Sequence, residues 1–218
     1  MRTTLVTVSA ALALLLQAPA IAADWPMYLG DLSHTSYAAA ETQINPSNVG
    51  TLQPAWTFTG RFFGGAPTIV GGVIYIGDWS GAFYAINSAD GTVLWRQNAG
   101  ISAAPENPVC QPATGVTGQA VVKDGVVYVP GGDTAVYSFD QATGSQLWRV
   151  PLADPDTGSY LWSSLTLVNN SIFLGVSSLG DCPVVRGAMV RLDLADAQNP
   201  LIKYLVADGE IQIGRAHV

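Results

Sequence analysis

The sequence predicts an all-β chain assembled from tandem four-stranded units, and three observations carry that prediction. The 218 residues are 49% hydrophobic but only 11% charged, which excludes disordered and coiled-coil chains. With 23 Gly and 13 Pro, long helices are disfavoured. The third observation is a repeat: two stretches align without a gap at an offset of 53 residues. A fixed period in this range marks an array of supersecondary units that bury their faces on one another.

The first element in the chain is an export signal. Arg2 supplies a short positive region, Leu5 to Leu16 an apolar run, and Ala20-Ile21-Ala22 a small-x-small cleavage site, so residues 1–22 read as a signal peptide cut after Ala22. No second apolar run of that length follows, and no Cys stands near the cleavage site to accept a lipid. The mature protein is therefore expected in the periplasm or secreted, with no membrane span after cleavage. Losing Arg2 takes the 9 Lys and Arg to 8, against 16 Asp and Glu. That acidic balance, without a basic run, makes a nucleic-acid partner unexpected.

The folded domain is expected over residues 23–212. In its first unit, Val73-Ile74-Tyr75-Ile76-Gly77 and Tyr84-Ala85-Ile86-Asn87 read as strands, within a stretch from Val73 to Asn87 whose copy runs from Val126 to Asp140. The first two strands of each unit are joined at Gly71-Gly72, Asp124-Gly125 and Asn169-Asn170, residue types that tolerate the positive φ of two-residue hairpins. The flanking runs are nearly continuous β-branched and aromatic residues, as suits sheets covered on both faces. The third and fourth strands are joined by Asn87 to Thr92 and by Asp140 to Ser145, each with an Asx opening the turn and a Gly near its end.

Trp95 and Trp148 close the two units at the same place. Core burial that ties neighbouring sheets together is the favoured role, and ligand stacking the alternative. A third unit runs through Leu165 to Val168, Ile172 to Gly175 and Met189 to Asp193. Its first half arrives eight residues early, and an insertion around 178–185 restores the count. That insertion reads as a loop at one end of a sheet, where function is commonly grafted.

These segments resemble the quinoprotein-type β-propellers, whose blades are pyrroloquinoline quinone (PQQ) repeats. The residues that carry the resemblance are Val73 to Gly77, Tyr84 to Asn87 and Asp90-Gly91-Thr92-Val93-Leu94-Trp95, with the copy ending in Ala142 to Trp148. The entry segment also resembles the lead-in of PQQ-dependent alcohol and polyvinyl-alcohol dehydrogenases: Asp24 to Tyr28, Gly30-Asp31, Ile44 to Val49, Leu52 and Trp56. The resemblance implies an incomplete propeller of about three to four blades. It further implies an exported dehydrogenase with PQQ above Ca²⁺, an alcohol or polymer substrate and a catalytic Asp. The same repeat also implies two alternatives, a non-catalytic propeller that binds a protein or cell-wall polymer through its loops, and an envelope scaffold.

No Glu, Asn and Asp metal set matches positions here, and no catalytic Asp is carried over. The adjacent-Cys disulfide of many relatives is missing, and no Cys-x-x-Cys-His for a c-type haem is present. Cys110 and Cys182 are the only cysteines; in an exported protein they favour a disulfide if their loops meet, and free thiols otherwise. Asp78-Trp79, at the bend after a central strand, reads as packing, with stacking on a flat cofactor as the alternative. His34 reads as a surface hydrogen-bonder, with a ligand role as the alternative, and Arg186 as a cap of the insertion, with a hold on a carboxylate as the alternative. One credible His leaves hydrolytic triad chemistry without support.

A propeller closes with four to eight blades, and about three units are legible here. Residues 213–218, Ile-Gly-Arg-Ala-His-Val, match no repeat position and back-translate to a common sequencing-library adapter. They are expected to be read-through after a gene fragment that ends near Gln212.

Overall fold

The β-branched and aromatic runs become strands at nearly the same offsets as the repeat. The computed structural model describes residues 23–39, 41–102, 113–180 and 183–204. The signal segment and the tail after Tyr204 lie outside that range. The first blade is β1 (Thr68–Val70), β2 (Val73–Gly77), β3 (Ala82–Asn87) and β4 (Val93–Asn98). The second is β5 (Val121–Lys123), β6 (Val126–Pro130), β7 (Ala135–Asp140) and β8 (Gln146–Pro151). The third comprises β9 (Ser159–Tyr160), β10 (Thr166–Val168), β11 (Ser171–Ser178), β12 (Ala188–Asp193) and β13 (Leu201–Tyr204).

Within each blade successive strands pair antiparallel, in the order β1-β2-β3-β4, β5-β6-β7-β8 and β10-β11-β12-β13. There is no α-helix among the described residues. The all-β, four-stranded-blade architecture read from the sequence is thus the one the chain forms. Hairpin chemistry explains the tight connections: Gly71, Gly72, Asp124, Gly125 and Asn169 all take positive φ, as such turns require.

The first two blades repeat down to their irregularities. The β3–β4 ladder shifts register between Ala85 and Ile86, and the β7–β8 ladder between Ser138 and Phe139, 53 residues later. In each case the residue before the tryptophan, Leu94 or Leu147, is left without a ladder partner and is half exposed (53% and 52%). A bulge of this kind turns one side chain out of the sheet and strengthens the local twist.

The blades stack face to face. Tyr75, Phe83, Ala85 and Trp95 of the first pack with Val127, Val129, Tyr137 and Phe139 of the second. The opposite face of the second blade, with Tyr128, Val136 and Val150, packs with Ile172, Leu174, Val190 and Leu192 of the third. The second blade is therefore buried on both faces, which is why its strands lack a polar alternation. The far face of the first blade is covered by the entry segment: Trp56, Phe58 and Phe63 lie on Ala82, Tyr84 and Ile86.

The third blade departs from the sequence reading at its insertion. β11 runs through Ser178, and Ser177 and Ser178 pair with Tyr160 and Ser159 of β9, so the segment expected as a loop from residue 178 begins inside a lengthened strand. Backbone hydrogen bonds offered by β9, which no repeat position anticipates, hold that extension in the sheet.

Candidate functional site

The two ends of the sheets differ chemically. One end carries the two-residue hairpins and the Asx turns. At the other, the β2–β3 and β6–β7 bends meet residues 60–65, 99–102 and 113–118, and the long connections emerge there. Ser102 and Thr114 clasp the base of one connection, with Ser102 N–H donating to Thr114 O at 2.9 Å and Thr114 N–H to Ser102 Oγ at 2.8 Å. Loops gathered on a rigid scaffold in this way are the ordinary place for a binding site.

Asp78 is the most deeply set charge at this end, with no solvent exposure. Its carboxylate accepts from Ser80 N–H (2.9 Å), Ser80 Oγ (2.5 Å), Ala82 N–H (3.3 Å), Arg61 N–H (3.1 Å) and Tyr84 Oη (3.0 Å). Burial works against the charge. The bonds from Ser80, the Arg61 N–H and Tyr84 outweigh it, holding the carboxyl below the ordinary aspartate range.

The second blade meets the same need from another position. Tyr137, the copy of Tyr84, donates its hydroxyl to Asp133 at 2.8 Å, and Asp133 stands where the first blade has Ser80. Arg149 Nη2 completes the pair at 2.6 Å from Asp133 Oδ2, with its Nε 3.1 Å from the Tyr137 hydroxyl. Burial, reinforced by the bond to Asp133, pushes the Tyr137 hydroxyl up to about 12. Arg96 and Arg149 each lie 5.6 Å from the centroid of their tyrosine ring. The sequence reading missed this cluster, although the offset of 53 already placed Tyr84 with Tyr137 and Arg96 with Arg149.

Trp79 is half-buried, edge-on to Phe62 at 4.7 Å, and its Nε1 is enclosed without a hydrogen-bond partner among the described residues. Tyr160 is fully buried and donates to Gly115 O, tying β9 to the connection between the first two blades; burial raises its pKa. His34 is exposed and stacks edge-on against Tyr28 at 6.0 Å, and Arg186 is half-buried. Cys110 and Cys182 both fall outside the described residues.

Trp95 is 8% exposed, and its Nε1 donates to Gln141 O of the next blade at 3.0 Å. Its ring lies over Gly144, where a Cβ would come within 2.7 Å of it; the positive φ of Gly144 and this approach both require glycine. Trp148 is half-buried against Tyr128 at 5.7 Å and makes no such bond among the described residues. The turn it faces, Leu194 to Asn199, has no glycine.

The resemblance implies PQQ and Ca²⁺, and the donor set tests it. Ca²⁺ takes about six to eight oxygens. Among the described residues no three His, Cys, Asp or Glu side chains gather as a metal site. Asp78 is already saturated by five donors. Asp133 Oδ1 is the one buried carboxylate oxygen without a hydrogen-bond partner among the described residues. The described residues therefore do not by themselves fit the ion, and no chemical step is derived through it.

Residues 47–199 match the PQQ-repeat family whose description is "Outer membrane protein assembly factor BamB". XoxF of Paracoccus denitrificans is 31% identical over 180 residues, which cover 80% of this chain and 29% of that protein. The polyvinylalcohol dehydrogenase of a Pseudomonas species is 29% identical over 170 residues, covering 71% of this chain and 25% of that enzyme. Among solved structures, a europium-containing methanol dehydrogenase superposes with a TM-score of 0.68 at 24% identity, covering 84% of this chain and 32% of that one. The last similarity speaks for the fold alone. The chain spans less than a third of the length of these relatives.

Proposed function

The chain belongs to the PQQ-repeat family, and from that premise we propose that it forms the first blades of an exported quinoprotein dehydrogenase that oxidises alcohols, polyvinyl alcohol or another hydroxyl polymer among them. The observation that carries the reading is the alignment with dehydrogenases along 71–80% of the chain. The family match, over residues 47–199, takes in the end of the lead-in as well as the repeats. In this reading PQQ, when bound, would supply the electron sink. The residues described here form the wall of the ring and the rigid bed under its loops.

The test uses the complete gene product, reconstituted with PQQ and Ca²⁺ and assayed for dye reduction by methanol, ethanol and polyvinyl alcohol. The expected result is cofactor uptake with alcohol-dependent reduction. No uptake would overturn the dehydrogenase reading and favour a non-catalytic propeller that binds a protein or cell-wall polymer. Export is tested separately: the mature protein is expected in the periplasmic or culture fraction, beginning at Ala23.

A further inference from the structure

Among the described residues Thr134 is the one β-branched residue at positive φ (+59°), and it is fully buried. Branching at Cβ makes that conformation costly. The bend itself does not call for it. In the first blade Gly81 stands at the same position, 53 residues earlier, with φ +81°. Both residues accept the same backbone bond from just past the fourth strand, Ala99 N–H to Gly81 O at 2.8 Å and Leu152 N–H to Thr134 O at 2.9 Å. Glycine therefore suffices for the fold. A strained residue persists where its contacts impose it, and the contacts of the threonine side chain lie outside the blade's own ladder.

What that side chain adds is a grip on the outgoing chain. Thr134 Oγ1 shares its proton between Ala153 O at 2.6 Å and Asp133 O at 2.7 Å. Ala153 is the copy of Gly100, and a Cβ at Gly81 would collide with Gly100 O. After the first blade the chain thus passes too close to the bend for any side chain. After the second it stands far enough off to be bonded by a hydroxyl.

This stand-off is passed on to the insertion of the third blade. Asp154, next to Ala153, caps the single-turn helix Pro155–Thr157, its carboxylate accepting from Asp156 N–H at 3.0 Å. Gly158 ends that turn at φ +83° and offers its O to Leu179 N–H at 2.8 Å, while Pro183 packs so closely on it that a Cβ would come within 2.8 Å of the ring. Ser159 and Tyr160 then pair with Ser178 and Ser177, and Trp162 Nε1 donates to Ser178 O at 2.8 Å. Ser178 Oγ in turn accepts from Val185 N–H at 2.8 Å. Residues 153–162 thus hold both limbs of the insertion, and the Thr134 hydroxyl fixes where they leave the second blade.

We propose that Thr134 is a positioning residue, whose hydroxyl sets the path of residues 153–162 and so places the insertion, as a wall of the loop end, from the second blade. Only what the wall serves, the binding of the alcohol, rests on the dehydrogenase reading. The placement rests on the comparison of Thr134 with Gly81.

Hydrogen exchange in the complete gene product tests this at Leu179 and Val185 N–H. Gln141 N–H, which donates to Gly125 O at the hairpin end of the second blade, is the internal control. Thr134→Val keeps the branched shape and loses the hydroxyl, whereas Thr134→Ser keeps the hydroxyl. Exchange at Leu179 and Val185 is expected to quicken at least about tenfold in Thr134→Val and to stay within about twofold of the wild type in Thr134→Ser, with Gln141 unchanged in both. Unchanged rates at the insertion in Thr134→Val overturn the proposal. An acceleration that Gln141 shares overturns it as well, in favour of a role in stability alone, and so does a loss in Thr134→Ser equal to that in Thr134→Val. Where Thr134→Val does not fold, Thr134→Gly, which copies the first blade and relieves the strain, takes its place with the same expectations. A failed cofactor assay leaves these exchange rates as they are, so the two readings fail separately.

Discussion

The first and second blades share strand lengths, registers, a bulge and a tyrosine–arginine pair, yet they anchor that tyrosine with carboxylates two positions apart. In the first blade Asp78 turns inward and is sealed by backbone N–H groups. In the second, Asp133 sits further along the bend, shared with a half-exposed Arg149. The vacated positions are Gly131 and Gly132, where a Cβ would meet the Tyr137 ring or the neighbouring backbone within 2.7 Å. What the repeat conserves is a need for an acceptor at the tyrosine hydroxyl; the bend offers more than one place to meet it.

The widest break in the comparison is expected at the tryptophans. Trp95→Ala should cost about 3–5 kcal/mol in urea unfolding, since it removes a buried ring and empties the seat on Gln141 and Gly144. Trp148→Ala should cost about 1–2 kcal/mol less, in keeping with its half-buried ring. Equal losses would show that the docked seat adds nothing.

The carboxylates come next. Asp78→Ala leaves five donors facing an empty site and is expected to lose about 3 kcal/mol. Asp133→Ala is expected to lose about 1 kcal/mol, because water reaches the half-exposed Arg149. Similar losses would mean that the two devices are interchangeable.

Titration sharpens the same contrast. With its pKa lowered by folding, Asp78 contributes stability that is present above the ordinary carboxyl range and lost as pH falls through the folded value. Acid unfolding below about pH 4 should therefore be less steep in Asp78→Asn than in the wild type. Tyr137 acts on the alkaline side: its raised pKa stabilises fully below about pH 10, and the contribution fades as pH rises toward about 12. Tyr137→Phe should lessen that alkaline decline, measured by denaturant midpoints at successive pH. The smallest effect is expected at the bulges, where Leu94→Ser and Leu147→Ser should each stay within about 0.5 kcal/mol.

Much of the fold was legible because the repeat is nearly gapless: the offset located six strands, two bends and two closing tryptophans. Hairpin residues located the turns, since positive φ restricts which side chains can stand there. Trp56 was quoted in the lead-in, but its kinship with Trp95 was missed: its Nε1 donates to Ser88 O at 2.9 Å, as that of Trp95 donates to Gln141 O at 3.0 Å. Only 39 residues separate the two, and the shared feature is the acceptor on the next blade, which no pattern of side chains records. β9 was missed because its two residues pair through backbone alone. In the Asp–Tyr–Arg cluster the offset of 53 paired the tyrosines and the arginines, but the acid shifts by two positions between the blades, so the spacing did not signal the carboxylate that completes it. The cysteine pairing falls outside the described residues, and a catalytic set was not legible because the chain spans less than a third of its relatives.

The seat of each tryptophan on the blade that follows it has a consequence in time. During synthesis the residues of the first blade are complete before Gln141 and Gly144 have been made, and Tyr75, Phe83 and Trp95 then have no second blade to cover them. At about 5–20 residues per second, the second blade trails by roughly 3–11 s. For that interval the nascent chain presents an aromatic face to its surroundings, and a translational pause shortly after residue 98 would lengthen the exposure, whereas one after residue 151 would not.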